Sequence, residues 1–226
     1  MISLGIDTST FKTSVGLVED DREIASYELS ANMYNSEEVV NMISEIFSKI
    51  NFSIKDIDLI SVGIGPGSFT GTRIAVTIAR TLSQTLNKEI VGVSSLKAVA
   101  MTYEGSEFIV PLIDAKRNRA YFGIYKNSDV IRTVKDDRLM DIDEIANELS
   151  GKAVVILGAG AEFFYDKLKD KMNLKMPKER LIRGANVARL GIIEYRERGS
   201  DNLFDVLPNY INLSQAEENF KKLKQI

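Results

Sequence analysis

The sequence contains no histidine, no cysteine and no tryptophan, and only 4 prolines among 226 residues. Each absence excludes chemistry. Without cysteine there is no disulfide framework, no thiol nucleophile and no thiolate metal site. Without histidine there is no Ser-His-Asp triad, no imidazole ligand and no side chain that ordinarily titrates near neutral pH. No apolar run approaches the roughly 20 residues that span a bilayer. The first residues, MISLGIDTST, lack the basic start and long apolar stretch of a secretory signal. Together these features predict a cytoplasmic protein with no membrane partner. Charge of one sign is not in excess either: 29 Lys+Arg stand against 32 Asp+Glu, a net −3. That balance disfavours autonomous nucleic-acid binding, which needs a basic footprint. The basic cluster Lys221, Lys222 and Lys224 reads as a solvated helix end. Catalysis here would rest on carboxylates, Lys, Tyr, hydroxyls, backbone N–H groups or an oxygen-bound metal.

What is present is an ordinary globular composition, 44% apolar and 27% charged, long enough for one large core or two small ones. Ile2–Ile6, Thr13–Val18 and Glu23–Leu29 read as a three-strand meander. Ser36–Ile50 has helical periodicity, Asp58–Ile64 reads as a strand, and a helix is predicted from about Thr72 to Leu86. Ile90–Val93 is a short strand, after which Ser94 or Ser95 can cap a helix. The pattern then restarts at Glu107–Ile113, with strands at Ala120–Tyr125, Val130–Val134 and Ala153–Leu157. Helices are predicted over Asp141–Leu149 and from Gly160 through Leu168, and helical character appears again at Gln215–Leu223. Ile6-Asp7 corresponds to Ile113-Asp114, and Ser61–Gly65 to Val154–Gly158, so the sequence repeats itself at about 105 residues.

A meander followed by βα units gives a mixed sheet with helices on its faces. Two copies of it predict an α/β protein of two ribonuclease H-like modules in the actin-like ATPase (ASKHA) arrangement. The first module spans 1–103 and carries two broadly apolar helices; a smaller second module spans 104–226. Thr102–Ser106 is the expected linker, and the second module reads as truncated after Leu168.

Several constellations could carry chemistry. Asp7-Thr8-Ser9-Thr10 could cradle phosphate, with Asp7 on a hydrated Mg²⁺, or be an Asx or ST turn. Gly158-Ala159-Gly160 could receive a nucleotide phosphate or be a plain βα turn. Lys116, Arg117 and Arg119 form a basic turn that could meet phosphate or an acidic surface, or be a solvated hairpin tip. Gly65-Pro66-Gly67-Ser68-Phe69-Thr70-Gly71 allows positive φ and close backbone approach, with Ser68 or Thr70 as a helix cap, but it is not a Walker A motif. The helices Ser36–Ile50 and Thr72–Leu86 carry apolar arcs wider than one sheet face requires. Val39, Val40, Ile43, Ile46, Phe47, Ile74, Ile78 and Leu82 are therefore either deeply buried within the module or interface candidates.

The string Gly65–Ile74, which includes Arg73, joins Leu4-Gly5-Ile6-Asp7-Thr8-Ser9, Gly92-Val93-Ser94-Ser95-Leu96 and Asp114-Ala115-Lys116. In residues, order and spacing these resemble the TsaB (YeaZ) family. That resemblance implies the two-module actin-like fold and a role in making N6-threonylcarbamoyladenosine at position 37 of tRNA. It implies a non-catalytic paralogue of the TsaD subunit, with no catalytic residue and no metal of its own. Such a protein pairs with itself when alone and with TsaD when present, through the helices of the first module. TsaE, an ATPase, joins the complex, and tRNA is met only through it. This chain requires no cofactor of its own; ATP or ADP with Mg²⁺ could sit in this subunit, at the interface with TsaD, or in neither. The family's usual His-Ser-Glu at the first helix is here Asn35-Ser36-Glu37, and Asn35 still caps a helix.

Other classes fit less well. An actin-like ATPase or phosphotransferase binding Mg-ATP would use Asp7, Thr8, Ser9, Gly158 and Gly160. A two-metal nuclease needs further carboxylates, yet the fourth strand ends Gly63-Ile64-Gly65. A protease would ordinarily want a histidine. The two-histidine metal site of the catalytic paralogue cannot be assembled from this chain.

Overall fold

The computed structural model describes residues 1–30 and 36–211. Strands β1 (Ile2–Asp7), β2 (Lys12–Glu19) and β3 (Arg22–Ser30) form the expected antiparallel meander. Helix α1 (Ser36–Lys49), β4 (Leu59–Gly63), α2 (Phe69–Leu86), β5 (Glu89–Val93) and α3 (Ser95–Ala100) follow. The second half repeats the series with β6 (Gly105–Asp114), β7 (Arg119–Asn127), β8 (Ile131–Asp141), α4 (Ile142–Glu148), β9 (Ala153–Leu157), α5 (Ala161–Leu168) and β10 (Asn173–Lys175). Helix α6 (Gly184–Arg198) comes last.

The two five-stranded sheets have the same order, β3-β2-β1-β4-β5 and β8-β7-β6-β9-β10. In each, the meander is antiparallel and the last two strands join parallel. The repeat read in the sequence is thus a repeat of topology. Each outer face is covered by its own helices. One core packs α1 and α2 against β1, β2 and β4 through residues such as Leu4, Leu17, Ile43 and Val76. A second packs α4 and α5 against β6, β7 and β9 through Leu112, Phe122, Ile145 and Phe164. A third, between the sheets, joins both to α3 and α6.

The serines set the helix starts. Ser68 accepts from the Gly71 N–H at 3.2 Å and Ser94 from the Lys97 N–H at 3.0 Å. Helix α2 therefore begins at Phe69, three residues earlier than its apolar period indicated. Strand β8 runs on to Asp141, well past the expected Val134, because β7 pairs with it along its whole length. The helix expected at Gln215–Leu223, the basic cluster Lys221, Lys222 and Lys224, and the cap Asn35 lie outside the described residues.

The two sheets lie on either side of 103/104, but the second half of the chain does not stay on its own side. Helix α6 comes from the second half of the chain but packs on β1, β2, β4 and β5 of the first sheet. Nor is the second module truncated, since β10 completes its sheet. Both were hidden for physical reasons. Three residues of strand carry no readable period. Helix α6 meets its sheet mainly through small residues, not a stripe of large ones. A Cβ on Gly5 would lie 2.5 Å from the Ala188 nitrogen, and one on Gly16 would lie 2.7 Å from the Ala185 Cα. Gly191 faces Ser61 in the same way, and Ser61 shares a buried 2.8 Å hydrogen bond with Ser3.

A half-buried carboxylate also ties the halves together. Asp137 on β8 accepts from the Ser94 hydroxyl at 2.5 Å and from the Tyr125 hydroxyl. Burial raises the Asp137 pKa, and the Ser94 and Tyr125 bonds pull it partly back. The folded state therefore holds this proton more tightly than the unfolded chain does. In the window between the ordinary carboxylate pKa and the raised one, stability falls as pH rises. Urea denaturation at neutral and mildly acidic pH should show wild type gaining on Asp137→Asn as pH falls. Parallel pH profiles for the two proteins would contradict this account.

Candidate functional site

The first-module turn is built on Asp7, which is 0% exposed, with Thr8 and Ser9 buried beside it. Asp7 Oδ1 accepts from the Ser9 N–H and from the Ser9 hydroxyl, both at 2.7 Å, which is an Asx turn. Asp7 Oδ2 accepts from the Ser95 hydroxyl at 2.6 Å, and Ser95 Oγ accepts from the Gly65 N–H at 3.0 Å. Burial raises the Asp7 pKa, while the Ser95 and Ser9 hydrogen bonds oppose the rise.

The Gly65–Gly71 loop closes over this turn. The Ser68 N–H donates to the Ser9 carbonyl at 2.7 Å, and the Ser95 N–H to the Gly65 carbonyl at 2.9 Å. Thr8 Oγ1 donates to the Gly71 carbonyl at 2.5 Å. Two glycines are required by contact. A Cβ on Gly67 would sit 2.8 Å from Ser9 Cβ, and one on Gly63 would sit 2.8 Å from Ser95 Oγ and closer still to Asp7. Gly65 has φ +95°. Asp7, Ser9, Gly63, Gly65, Gly67, Ser68 and Ser95 thus form one interlocked unit.

An actin-like fold implies a nucleotide and its divalent cation against this turn. The residues present do not fit that group. Both Asp7 oxygens are engaged by the chain's own donors, and the Gly65–Gly71 loop is hydrogen-bonded to the same turn. Among the described residues no cluster of three acidic or other ligand side chains could hold a metal ion. Asp7, Thr8 and Ser9, expected as nucleotide contacts, serve here as a structural hub that ties β1 to the Gly65–Gly71 loop and to Ser95. Gly158 and Gly160 form the βα turn that was one of their two readings. A Cβ on Gly158 would lie 2.6 Å from the Leu112 carbonyl oxygen, and the Gly160 N–H donates to that same oxygen at 2.8 Å. They pack a βα turn against β6. The basic turn is a hairpin tip: Lys116 pairs with Asp114 at 2.8 Å, and Lys116, Arg117 and Asn118 all have positive φ.

The interface candidates separate by burial. Val39, Ile43 and Ile46 are at most 5% exposed and belong to the outer core of the first module. They are corrected to core residues, because α1 turns this stripe onto its own sheet. Glutamate at Ile43 would thus unfold the protein rather than split a complex. Val40 is 53% exposed, and Phe47, Ile74, Ile78 and Leu82 are partly exposed. In the motif loop, Phe69 and Arg73 face outward, with the Arg73 guanidinium 3.8 Å from the Phe69 ring centre. Pro66 and Gly71 are buried, and Thr70 is exposed.

Sequence reasoning missed two parts. Ser95 appeared only as a cap and a motif letter, yet it links Asp7 to Gly65. Residues 201–210 were not read at all, though they run along β5 and α2. The Phe204, Leu207, Tyr210 spacing was the available signal.

A family model described as "TsaD: tRNA N6-adenosine threonylcarbamoyltransferase" matches residues 30–157. The tRNA threonylcarbamoyladenosine biosynthesis protein TsaB of Bacillus subtilis is 30% identical over 228 aligned positions, covering 96% of each chain. YeaZ from Pseudomonas aeruginosa superposes with a TM-score of 0.78 at 22% identity, covering 92% of this chain and 99% of that one. The activator of 2-hydroxyisocaproyl-CoA dehydratase from Clostridium difficile, a structure with bound ADPNP, reaches a TM-score of 0.54 at 10% identity, covering 89% of this chain and 99% of that one. These two likenesses speak to the fold, which is the two-module actin-like one. With the repeat, the Gly65–Gly71 hub and a match along nearly its whole length, the chain belongs to the TsaB family, within the wider threonylcarbamoyltransferase family that the TsaD model describes.

Proposed function

We propose that this chain is a non-catalytic subunit of the assembly that makes N6-threonylcarbamoyladenosine in tRNA, and that it works by pairing with the TsaD-type catalytic subunit. One observation carries the reading: the phosphate turn is filled by the chain's own loop, while the outer helices keep Val40, Phe47, Ile74, Ile78 and Leu82 partly uncovered. The lack of histidine supports the same division of labour, because no imidazole metal site can be built. Without its partner the chain pairs with itself through the same helices, burying on the order of 1,600 Å² in total. TsaE joins the larger complex in the cytoplasm, and tRNA is met there rather than by this chain alone. Any ATP or ADP with Mg²⁺ belongs at the subunit interface and not in the Asp7 turn.

The test is reconstitution of tRNA modification with TsaD and TsaE from the same source, with and without this chain. Modification is expected to need it; full activity in its absence refutes the reading. Val40→Glu is the informative variant, because this exposed position tolerates charge in the monomer. It should weaken pairing by about 2 kcal/mol or more, near 30-fold, with an unchanged melting curve. Unaltered pairing in a titration would remove the α1–α2 face from the proposal.

A further inference from the structure

A strap follows α6. The Asp201 N–H donates to the Ile90 carbonyl at 2.9 Å, the Gly92 N–H to Asp201 Oδ2 at 2.8 Å, and the Asn209 N–H to the Ile64 carbonyl at 2.7 Å. Val206 is buried in the outer core. At its end Tyr210 stacks on Phe69 with centroids 4.8 Å apart, and Arg73 Nε donates to the Tyr210 hydroxyl at 2.6 Å. Residues 201–210 are thus held firmly along the flank of α2, continuous with the helical face.

What this strap presents outward is unusual. Phe204 is 69% exposed and Leu207 55%, with Tyr210 beside them. The Arg80 guanidinium lies 5.8 Å from the Phe204 ring centre. Neither Arg73 nor Arg80 makes an ion pair with a described residue. The exposed residues of α2 are Phe69, Thr70, Arg73, Thr77, Thr81, Gln84 and Thr85, with no carboxylate among them. Exposed acid on the strap is confined to Asp205. Aromatic and aliphatic anchors held rigid beside uncompensated arginines are the composition of a protein-binding hot spot.

We propose that Phe204 and Leu207, with Arg73 and Arg80, form a third rib of the docking face. Its occupant is an apolar segment of the TsaD-type partner carrying two carboxylates. Arg73 and Arg80 are two helical turns apart, so those carboxylates stand roughly 10 Å apart. This inference rests on the proposed pairing and adds its charge pattern. A second copy of the chain, even when paired through the α1–α2 face, fits the strap poorly, because a two-fold axis through the strap would bring the same cations toward each other.

The test measures affinity of the intact chain for purified TsaD-type subunit by titration at two salt concentrations. The Phe204→Ser/Leu207→Ser double variant is expected to bind at least about tenfold more weakly, and Arg80→Gln to flatten the salt dependence. Melting curves matching wild type would show that these surface changes leave the fold intact. Affinity within twofold of wild type for both variants overturns the proposal. If Val40→Glu weakens pairing and the strap variants do not, the rib falls while the helical reading stands. If the wild-type chain does not bind at all, both fall. Loss of self-association in sedimentation with heterologous binding intact would also overturn it, by assigning the strap to a second copy.

Discussion

Gly16→Ala is expected to cost about 3 kcal/mol or more of folding stability. The added methyl would point at the backbone of α6, with the Ala185 Cα 2.7 Å away and the Ala185 nitrogen nearer still. Backbone of a buried helix cannot rotate aside as a side-chain tip can. Helix α6 would have to lift from β1, β2 and β4 at once, opening the core it shares with α3 and the second sheet. Gly151→Ala is the control. It has φ +71° and no heavy atom within 4 Å of the new Cβ, so its cost is backbone strain alone, about 1 kcal/mol. Urea midpoints distinguish the two. Equal losses would mean that the close approach of α6 is not what the glycine serves.

Asp7→Ala should be nearly as damaging, and in a different way. It removes the acceptor of three buried donors: the Ser9 N–H, the Ser9 hydroxyl and the Ser95 hydroxyl. Each buried polar group left unmatched costs about 1–3 kcal/mol. The loss spreads further, because Ser95 also holds the Gly65 N–H. The Gly65–Gly71 loop and the start of α3 should loosen together, visible as faster amide exchange at Gly65 and Ser95. Asp7→Asn keeps an acceptor for Ser9, and its amide can donate to Ser95 Oγ. It should retain most of the stability and remove a buried charge. If Asp7→Asn were as unstable as Asp7→Ala, the charge itself would matter, and a bound cation would have to be reconsidered. Under the structural account, Asp7→Asn leaves partner binding unchanged.

Strand and helix identities in the first hundred residues were legible because their periods are regular and their caps are ordinary serines. The repeat was legible because Ile6-Asp7 and Ile113-Asp114 end equivalent strands. The family was legible from a contiguous string, Gly65–Ile74, in which Gly67 is required by its contact with Ser9 and Gly65 has a positive φ. The candidate site was less legible. A hydroxyl-rich turn after a first strand reads the same whether it holds a phosphate or a loop of its own chain. The deciding fact is which donors reach Asp7, and Ser95 lies 88 positions away. Likewise, Val39 and Val40 are neighbours in sequence and equal in hydropathy. Only the rotation of α1 on its sheet sends one into the core and leaves the other in solvent.

By itself, then, the sequence determined the chemistry that is unavailable, the duplicated α/β plan and the family, since these follow from composition and local order. The tertiary structure decided three things. It locked the Asp7 turn to the Gly65–Gly71 loop, returned α6 to the first sheet through contacts between small residues, and laid 201–210 beside α2 with Phe204 and Leu207 outward. Each depends on packing between segments far apart in the chain, and small residues or single serines leave no periodic trace from which such packing can be read.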